Sequence, residues 1–271
     1  MTTKSPDNIL DIKWPAPKVL AFTTTRLPAI NLPSSTNSSC SLLNTKHLRS
    51  EFTAFNLGDH VGDCAEVVTR NRASLLEYLP KNIRIQWLEQ VHGNHVADVK
   101  KHDKTPIIAD AVITRNRHIA LAIMTADCLP ILLSNKEGSE VAAIHGGWRP
   151  LAANIIEQTI RKMKSSANDI YAWMGPCISS EAFEVGEEVK QTFCLVSDDF
   201  ESAFQPVLRR DKIDENKFLA DLQLIAQIQL TALGVKNITK LKQCTYANSK
   251  RYYSYRRDGK TGRMASVICL K

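Results

Sequence analysis

The chain has 271 residues, of which 44% are hydrophobic, enough to bury a substantial core in one or two domains. Its 35 Lys and Arg against 28 Asp and Glu give a formal net charge of +7, which favours anionic ligands, but the charge is not gathered into a tail. No apolar stretch approaches the roughly 20 residues of a membrane helix, and the N-terminal sequence lacks the apolar core of a secretory signal, so we expect a cytoplasmic protein.

The segment 27–45 is rich in Ser, Asn, Thr and Pro without a hydrophobic period, and it predicts a long flexible loop insertion. Segment 66–79 places apolar residues at three- and four-residue spacing and ends before Pro80, which predicts an amphipathic helix. Apolar or β-branched segments then predict paired strands within 83–99 and at 109–114, 119–124, 131–133 and 141–144.

The C-terminal half alternates helices with strands. Pro150 is suited to the first turn of a helix that runs over 150–164. Further patterns predict a strand at 170–174, helices at 184–193 and 219–233, and strands at 252–255 and 264–270 joined by a polar hairpin. Because many strand connections are short, we expect a mixed α/β (α+β) sandwich in one domain over 1–271, not a doubly wound parallel sheet.

The seven cysteines are odd in number, widely spaced and without a C-x-x-C pair. This pattern argues against a disulfide framework and against a four-cysteine zinc motif, so we expect mostly reduced thiols.

Three residues at the ends of predicted strands are candidates for a metal site: His92 in EQVHGNHV, Cys128 in MTADCLPILL and His145 in AAIHGGWR. Their spacing matches no short zinc motif, so a shared site has to be assembled by the fold. The glycine after each histidine permits a sharp turn that leaves the imidazole at a rim. The alternative is that Cys128 packs in the core and both histidines make ordinary hydrogen bonds.

Seven blocks of the sequence closely resemble the YfiH family, formerly called multicopper polyphenol oxidase or laccase-domain proteins. They are FNLGDHVGD, WLEQVHG, ADAVIT, MTADCLPILL, AAIHGGWR, GPCI with FEVG, and CTY with YYSYRRDGKTGRMASVICL. The blocks follow the family's order over nearly the whole chain. The resemblance implies an α/β sandwich related to the cysteine-hydrolase domain of a bacterial toxin.

The resemblance also implies a zinc ion held by His92, Cys128 and His145, which would then be the catalytic residues. The implied activities are phosphorolysis of adenosine, inosine and methylthioadenosine together with adenosine deamination, and bacterial members have been linked to editing of peptidoglycan precursors. Three protein ligands leave the fourth zinc position for water or substrate, as in catalytic sites. The expected partners are purine nucleosides and phosphate, not nucleic acid or a membrane, and the sequence indicates no oligomeric state.

Phosphate is bound best by the fork of an arginine, and each candidate has a solvated surface arginine as its alternative. The candidates are Arg26, Arg149, Arg256 and Arg257, and Arg149 lies only four residues from His145.

Asp127 is a candidate substrate-site carboxylate that orients a zinc histidine; the alternative is that it accepts hydrogen bonds in a turn. Cys177 and Cys244 are interpreted as packing residues. The sequence departs from the family in HGGWRP, where HAGWRG is usual, and in the 27–45 insertion.

Three rival interpretations stay open. A copper oxidase needs many histidine ligands, and the seven histidines here include no H-x-H pair, so copper is less favoured than zinc. A metal-free cysteine hydrolase or amidase acting on peptidoglycan precursors would use Cys128 as nucleophile with His145 or His92 as base. A nucleic-acid module would use KRYYSYRR, although a half-buried strand explains that alternation more simply.

Overall fold

A computed structural model describes residues 7–28, 50–52, 54–209 and 212–271. Apart from residues 27 and 28, the predicted loop insertion lies outside the described residues. The strands are β1 Ile9–Ile12, β2 Val19–Thr24, β3 Arg84–Gln86, β4 Leu88–Glu89, β5 Val96–Val99, β6 Ile107–Ile108, β7 Ala111–Thr114, β8 Ile119–Thr125, β9 Leu129–Asn135, β10 Val141–Gly146, β11 Ile170–Met174, β12 Glu184–Gly186, β13 Phe204–Arg209, β14 Lys212–Ala220, β15 Asn237–Lys240 and β16 Met264–Leu270. The α-helices are α1 Ala65–Ser74, α2 Trp148–Ala152, α3 Ile155–Lys162, α4 Glu187–Cys194, α5 Leu222–Ala232 and α6 Tyr255–Asp258.

Two mixed sheets form the centre of the fold. One has the strand order β1-β2-β16-β8-β3 and the other β15-β11-β9-β10-β7-β5. In the first sheet β3 is parallel to β8 and the other pairs are antiparallel, while in the second β15 and β5 run parallel to their neighbours. The prediction of a mixed α/β sandwich, and not a doubly wound parallel sheet, is therefore confirmed.

The sheets are buried on both faces, which explains the continuous apolar runs of the central strands. Leu121 and Ile123 of β8 pack with Leu132 and Ala143 of the other sheet in the core between the sheets. The outer face of the second sheet packs on α3 and α5, and the outer face of the first packs on Leu75, Leu79 and Ile83, which lie in and after a 3₁₀ turn. The order of layers is helices, sheet, sheet and this turn segment.

Several predicted elements have different boundaries. The helix predicted at 66–79 is α1 followed by a 3₁₀ turn, Leu75–Tyr78. The helix predicted at 150–164 is divided into α2 and α3, because Asn154 adopts a left-handed conformation with φ of 59°. The helix predicted at 219–233 begins only at Leu222, where the Asp221 side chain accepts a hydrogen bond from the N–H of Leu224 at 2.9 Å.

Two assignments in the C-terminal half are wrong. The first three residues of the helix predicted at 184–193 form β12, and the helix begins at Glu187. The strand predicted at 252–255 does not form: Tyr252 and Tyr253 are both fully buried, and Ser254 caps α6 by accepting a hydrogen bond from the N–H of Arg257. Strands β1, β2, β6, β13, β14 and β15 were not predicted.

None of the helices in the described part of the chain combines the length and apolar character needed to cross a membrane. Cys64 is disulfide-bonded, whereas the other cysteines within the described ranges are free thiols, as expected. These are Cys128, Cys177, Cys194, Cys244 and Cys269.

Candidate metal centre and cavity

Two loops and the end of β10 meet at one end of the second sheet and bring His92, Cys128 and His145 together. Cys128 lies in the turn between β8 and β9, and His145 lies near the end of β10. Because β9 and β10 pair antiparallel with His145 opposite Pro130, the His145 ring lies beside the Cys128 turn. His92 reaches the same point from the loop that follows β4, in a left-handed conformation with φ of 59°.

The potential ligand atoms of the three residues all lie within 4.8 Å of one another. Cys128 Sγ is 3.8 Å from His92 Nε2, and the two imidazole rings stand edge to face with centroids 4.7 Å apart. His145 is buried, Cys128 is half-buried and His92 is exposed. The cluster therefore forms the floor of an opening that a ligand can enter from the side of His92.

The Asp110 carboxylate, at the start of β7, holds both histidines. It accepts hydrogen bonds from the backbone N–H groups of Val91, His92 and Gly93 at 3.2, 3.0 and 2.7 Å, and it lies 2.7 Å from Nδ1 of His145. The left-handed turn at His92 points these successive N–H groups at one anion. With its Nδ1 engaged, His145 presents Nε2 to the cluster. Sequence reasoning missed Asp110, although it stands in the block ADAVIT.

The prediction that Asp127 orients a histidine is wrong. Its carboxylate accepts hydrogen bonds from Thr245 Oγ1 at 2.6 Å, from Ser254 Oγ at 3.0 Å and from the Arg256 N–H at 2.7 Å. Asp110 takes the role that had been assigned to Asp127, because the fold brings the start of β7 beside the end of β10.

The negative charge of the Cys128 thiolate and the positive charge of the His145 imidazolium stabilise each other. Burial raises the pKa of the Cys128 thiol, but the charge of His145 and hydrogen bonds from both histidines outweigh burial and lower that pKa to about 6. Burial lowers the pKa of His145, but the Cys128 thiolate and Asp110 raise it to about 9. Burial also raises the pKa of Asp110, but the hydrogen bond and the charge of His145, together with the backbone N–H groups of Gly93 and His92, outweigh burial and lower that pKa. Without a metal, the cluster is a thiolate–imidazolium pair.

The three donors fit a transition metal. A thiolate and two imidazoles a few ångströms apart match the donor types and spacing of a four-coordinate zinc site with one position left open. They also resemble the two-histidine, one-cysteine set of copper sites, which adds a weak axial methionine. A side chain at Gly147 would crowd the cluster, since a Cβ at this position would lie 3.2 Å from Cys128 Sγ and 3.3 Å from His92 Cδ2.

A cavity of about 420 Å³ opens above the cluster, within the range of small-molecule sites. One side is apolar, with Ile178, Phe183 and Leu222, and other parts carry guanidinium groups. The complete lining is His60, Gln90, His92, Met124, Thr125, Ala126, Asp127, Cys128, His145, Trp148, Arg149, Ile178, Phe183, Leu222, Tyr255, Arg256 and Arg263.

Two of the predicted arginines line this cavity. The Arg149 guanidinium packs over the Trp148 ring at 4.4 Å, and that of Arg256 lies 5.3 Å from the centre of the Phe183 ring. Arg263 was missed by sequence reasoning, because nothing in its local sequence distinguishes it from a surface arginine. His60 also lines the cavity.

The other two arginines have different places. Arg26 does not line the cavity: it stacks on the Tyr253 ring at 4.8 Å and donates a hydrogen bond to the Ser249 carbonyl. The phosphate-binding role of Arg26 stays a prediction, because its guanidinium group is engaged outside the cavity lining. Arg257 donates to the backbone carbonyls of Thr245, Tyr246 and Tyr252, which makes it a structural residue.

The chain is similar to named proteins over nearly its full length. A purine nucleoside phosphorylase of Haemophilus influenzae is 38% identical over 256 residues, covering 94% of this chain and 96% of that protein. The purine nucleoside phosphorylase YfiH of Escherichia coli K12 is 38% identical over 259 residues, covering 95% and 97%.

Solved structures show the same likeness. The crystal structure of Neisseria meningitidis protein NMB0706 matches with a TM-score of 0.84 at 36% identity, covering 97% of this chain and 99% of that one. That of Bacillus licheniformis YfiH matches with a TM-score of 0.81 at 26% identity, covering 98% of each chain. A family model described as multi-copper polyphenol oxidoreductase laccase matches residues 44–271. The chain therefore belongs to this laccase-domain family, the YfiH family.

Proposed function

We propose that the chain is a zinc-dependent purine nucleoside phosphorylase for adenosine, inosine and methylthioadenosine, with adenosine deamination as a second activity. The observation that carries the proposal is the position of the His92, Cys128 and His145 cluster at the floor of a cavity lined by arginines. The names of the relatives from Haemophilus influenzae and Escherichia coli support the substrate class.

Zinc fits the donor set better than copper does. A copper site of this type would recruit a methionine sulfur as its axial ligand. Met124 lines the cavity, but its Sδ accepts a hydrogen bond from Nη2 of Arg72 at 3.5 Å. The sulfur is thus engaged by a cation, and a zinc ion that needs only the thiolate and two imidazoles is the simpler occupant.

Phosphate would be held by the guanidinium groups of Arg149, Arg256 and Arg263, which share the cavity. Arginine pairs with phosphate through parallel N–H donors, so the three side chains supply charge and orientation together. The stacking of Arg149 on Trp148 and of Arg256 on Phe183 limits their freedom before phosphate arrives. Less entropy is then lost on binding.

The purine would lie against the apolar side formed by Ile178, Phe183 and Leu222. With the base fixed there, a phosphate oxygen held by the arginines forms a bond to C1′ of the sugar. The bond from C1′ to N9 of the purine breaks, its electron pair stays on the base, and the base takes up the proton that hydrogen phosphate loses when it becomes the sugar phosphate ester. Because both reactants are held in one cavity, a bimolecular reaction becomes effectively unimolecular.

His92, Cys128 and His145 would hold the zinc ion, and Asp110 would fix the ring of His145 and the loop of His92. When bound, zinc supplies a Lewis acid and lowers the pKa of bound water, the property that deamination of the adenine ring requires. The transferase and hydrolase activities would then share one cavity.

A metal-free cysteine hydrolase acting on amides of peptidoglycan precursors is the second candidate, and one observation favours it. Cys128, His145 and Asp110 form a chain of side-chain hydrogen bonds in the order nucleophile, base and orienting carboxylate. This is the arrangement of a cysteine hydrolase, so metal content decides between the candidates.

The experiment that tests the proposal incubates the purified protein with adenosine in the presence and absence of inorganic phosphate. Phosphate-dependent release of adenine demonstrates phosphorolysis, and phosphate-independent formation of inosine demonstrates deamination. Inosine and methylthioadenosine under the same conditions define the substrate range. Turnover of none of the three by the zinc-loaded protein would contradict the proposal.

A further inference from the structure

Asp127 is a buried carboxylate beside the metal cluster for which the proposed reaction has no role. Its side chain is 8% exposed, and three protein groups use its oxygens. Oδ1 accepts from Thr245 Oγ1, and Oδ2 accepts from Ser254 Oγ and from the Arg256 N–H. A carboxylate has about four acceptor positions, so little of Asp127 is left for a substrate.

The backbone at Asp127 is held as firmly as its side chain. Its φ of 98° is in the left-handed region, which a residue other than glycine adopts only where the surroundings determine it. The Asp127 carbonyl also accepts a hydrogen bond from the Ile178 N–H at 2.9 Å. Because Cys128 follows directly, the conformation at Asp127 sets the direction of the metal-binding thiol.

The same carboxylate fixes the segment that carries Arg256. Ser254 is the N-terminal cap of α6, and Asp127 binds both its hydroxyl group and the backbone N–H of Arg256. The Arg256 side chain then extends along the cavity, where Nη1 donates to the Glu184 carbonyl at 2.9 Å. One side chain thus joins the thiol turn to an arginine from the other end of the sequence.

We propose that Asp127 is a positioning residue that holds Arg256 in the anion-binding orientation relative to Cys128. The inference rests on the proposed function, because it assigns Arg256 to phosphate. It replaces the sequence-based interpretation of Asp127 as a substrate-site carboxylate with an indirect role, in which the carboxylate acts on phosphate only through Arg256.

The test measures the affinity for inorganic phosphate by calorimetric titration of the wild type and of Asp127→Asn, Arg256→Ala and the double variant. Asn keeps the shape of Asp but lacks its negative charge, so a single carbonyl oxygen holds the Ser254 hydroxyl group and the Arg256 N–H more weakly than the carboxylate does. We expect Asp127→Asn to weaken phosphate binding about tenfold with unchanged zinc content, and to have no further effect in the Arg256→Ala background.

Thr114→Val is the matched control for lost stability. The buried Thr114 hydroxyl group donates to the Val99 carbonyl and accepts from the Asn116 N–H, away from the cavity. We expect this variant to bind phosphate as the wild type does. Its melting temperature should be similar to that of Asp127→Asn.

Additive effects of Asp127→Asn and Arg256→Ala, or wild-type phosphate affinity in Asp127→Asn, would overturn the inference. So would a wild type that binds no phosphate. The proposed function fails separately: a wild type that binds phosphate but releases no base keeps the positioning role and loses the phosphorylase.

Discussion

Asp110 Oδ1 lies 2.7 Å from Nδ1 of His145 and also accepts the backbone N–H of His92 at 3.0 Å, so one buried carboxylate fixes two of the three potential metal ligands. A group that orients a metal-binding histidine in this way usually contributes strongly to metal affinity and to activity.

The first prediction concerns Asp110→Asn. The substitution removes the negative charge that four donors share, and we expect zinc affinity to fall about 10- to 100-fold with a parallel loss of activity. Competition with a chelator of known affinity measures this. Asp98→Asn is the control, since Asp98 makes an exposed ion pair with Arg115 and should retain the metal. Equal zinc affinity in the two variants would contradict the prediction.

The second prediction concerns the pH dependence of the metal-free protein. Because the pKa of Cys128 is lowered to about 6, its reactive thiolate is present above that pH and is lost as the pH falls through it. Iodoacetamide should therefore label Cys128 at neutral pH. Burial raises the pKa of Cys194, so its labelling should rise only above the ordinary range of a thiol.

Mass spectrometry of the labelled peptides at a series of pH values provides this measurement. In denaturant the difference between Cys128 and Cys194 should disappear, because unfolded thiols share an ordinary pKa near 8.5. A Cys128 labelling profile in the folded protein that matches the denatured one would contradict the account of the charges.

The third prediction concerns Gly147→Ala. The backbone at Gly147 has a φ of −66°, which alanine adopts freely, so any effect comes from the added methyl group. That group would lie 3.2 Å from Cys128 Sγ and 3.3 Å from His92 Cδ2, tighter than ordinary contact. We expect the zinc content of the purified variant to drop with little change in its melting temperature in the metal-free form. Full zinc occupancy would show that the cluster tolerates the displacement.

The fourth prediction concerns Arg263→Lys. Lysine keeps the charge but loses the fork that pairs with phosphate, and we expect the KM for phosphate to rise about tenfold with a smaller change in kcat. Arg26→Lys is the matched control, because Arg26 stacks on Tyr253 outside the cavity. Steady-state kinetics at varied phosphate compares the two. A larger rise in the KM for phosphate in Arg26→Lys than in Arg263→Lys would contradict the assignment of Arg263 to phosphate binding.

The central strands and the three potential ligands could be predicted from the sequence. Strands β8, β9 and β10 are buried on both faces and therefore appear as continuous apolar runs. His92, Cys128 and His145 stand where such runs end, and the resemblance to the YfiH family groups them. Their mutual distances depend on strand pairing, which a local pattern does not contain.

The remaining features depend on contacts distant in sequence. Asp110 and Asp127 are both single carboxylates beside strands, and only the fold shows that the first binds a histidine and the second binds Arg256. The break at Asn154 comes from one left-handed residue within an apolar period. Strands β13 and β14 were missed because their sequences, FQPVLR and KIDENKFLA, give no clear alternation of apolar and polar residues.

Zinc content and phosphate-dependent release of hypoxanthine from inosine, both measured on the wild type and on Cys128→Ala, decide between the zinc enzyme and the cysteine hydrolase. The account predicts about one zinc ion per chain and phosphorolysis in the wild type, with both lost in the variant. A metal-free wild type that cleaves an amide through Cys128 would contradict the zinc assignment and establish the cysteine hydrolase instead.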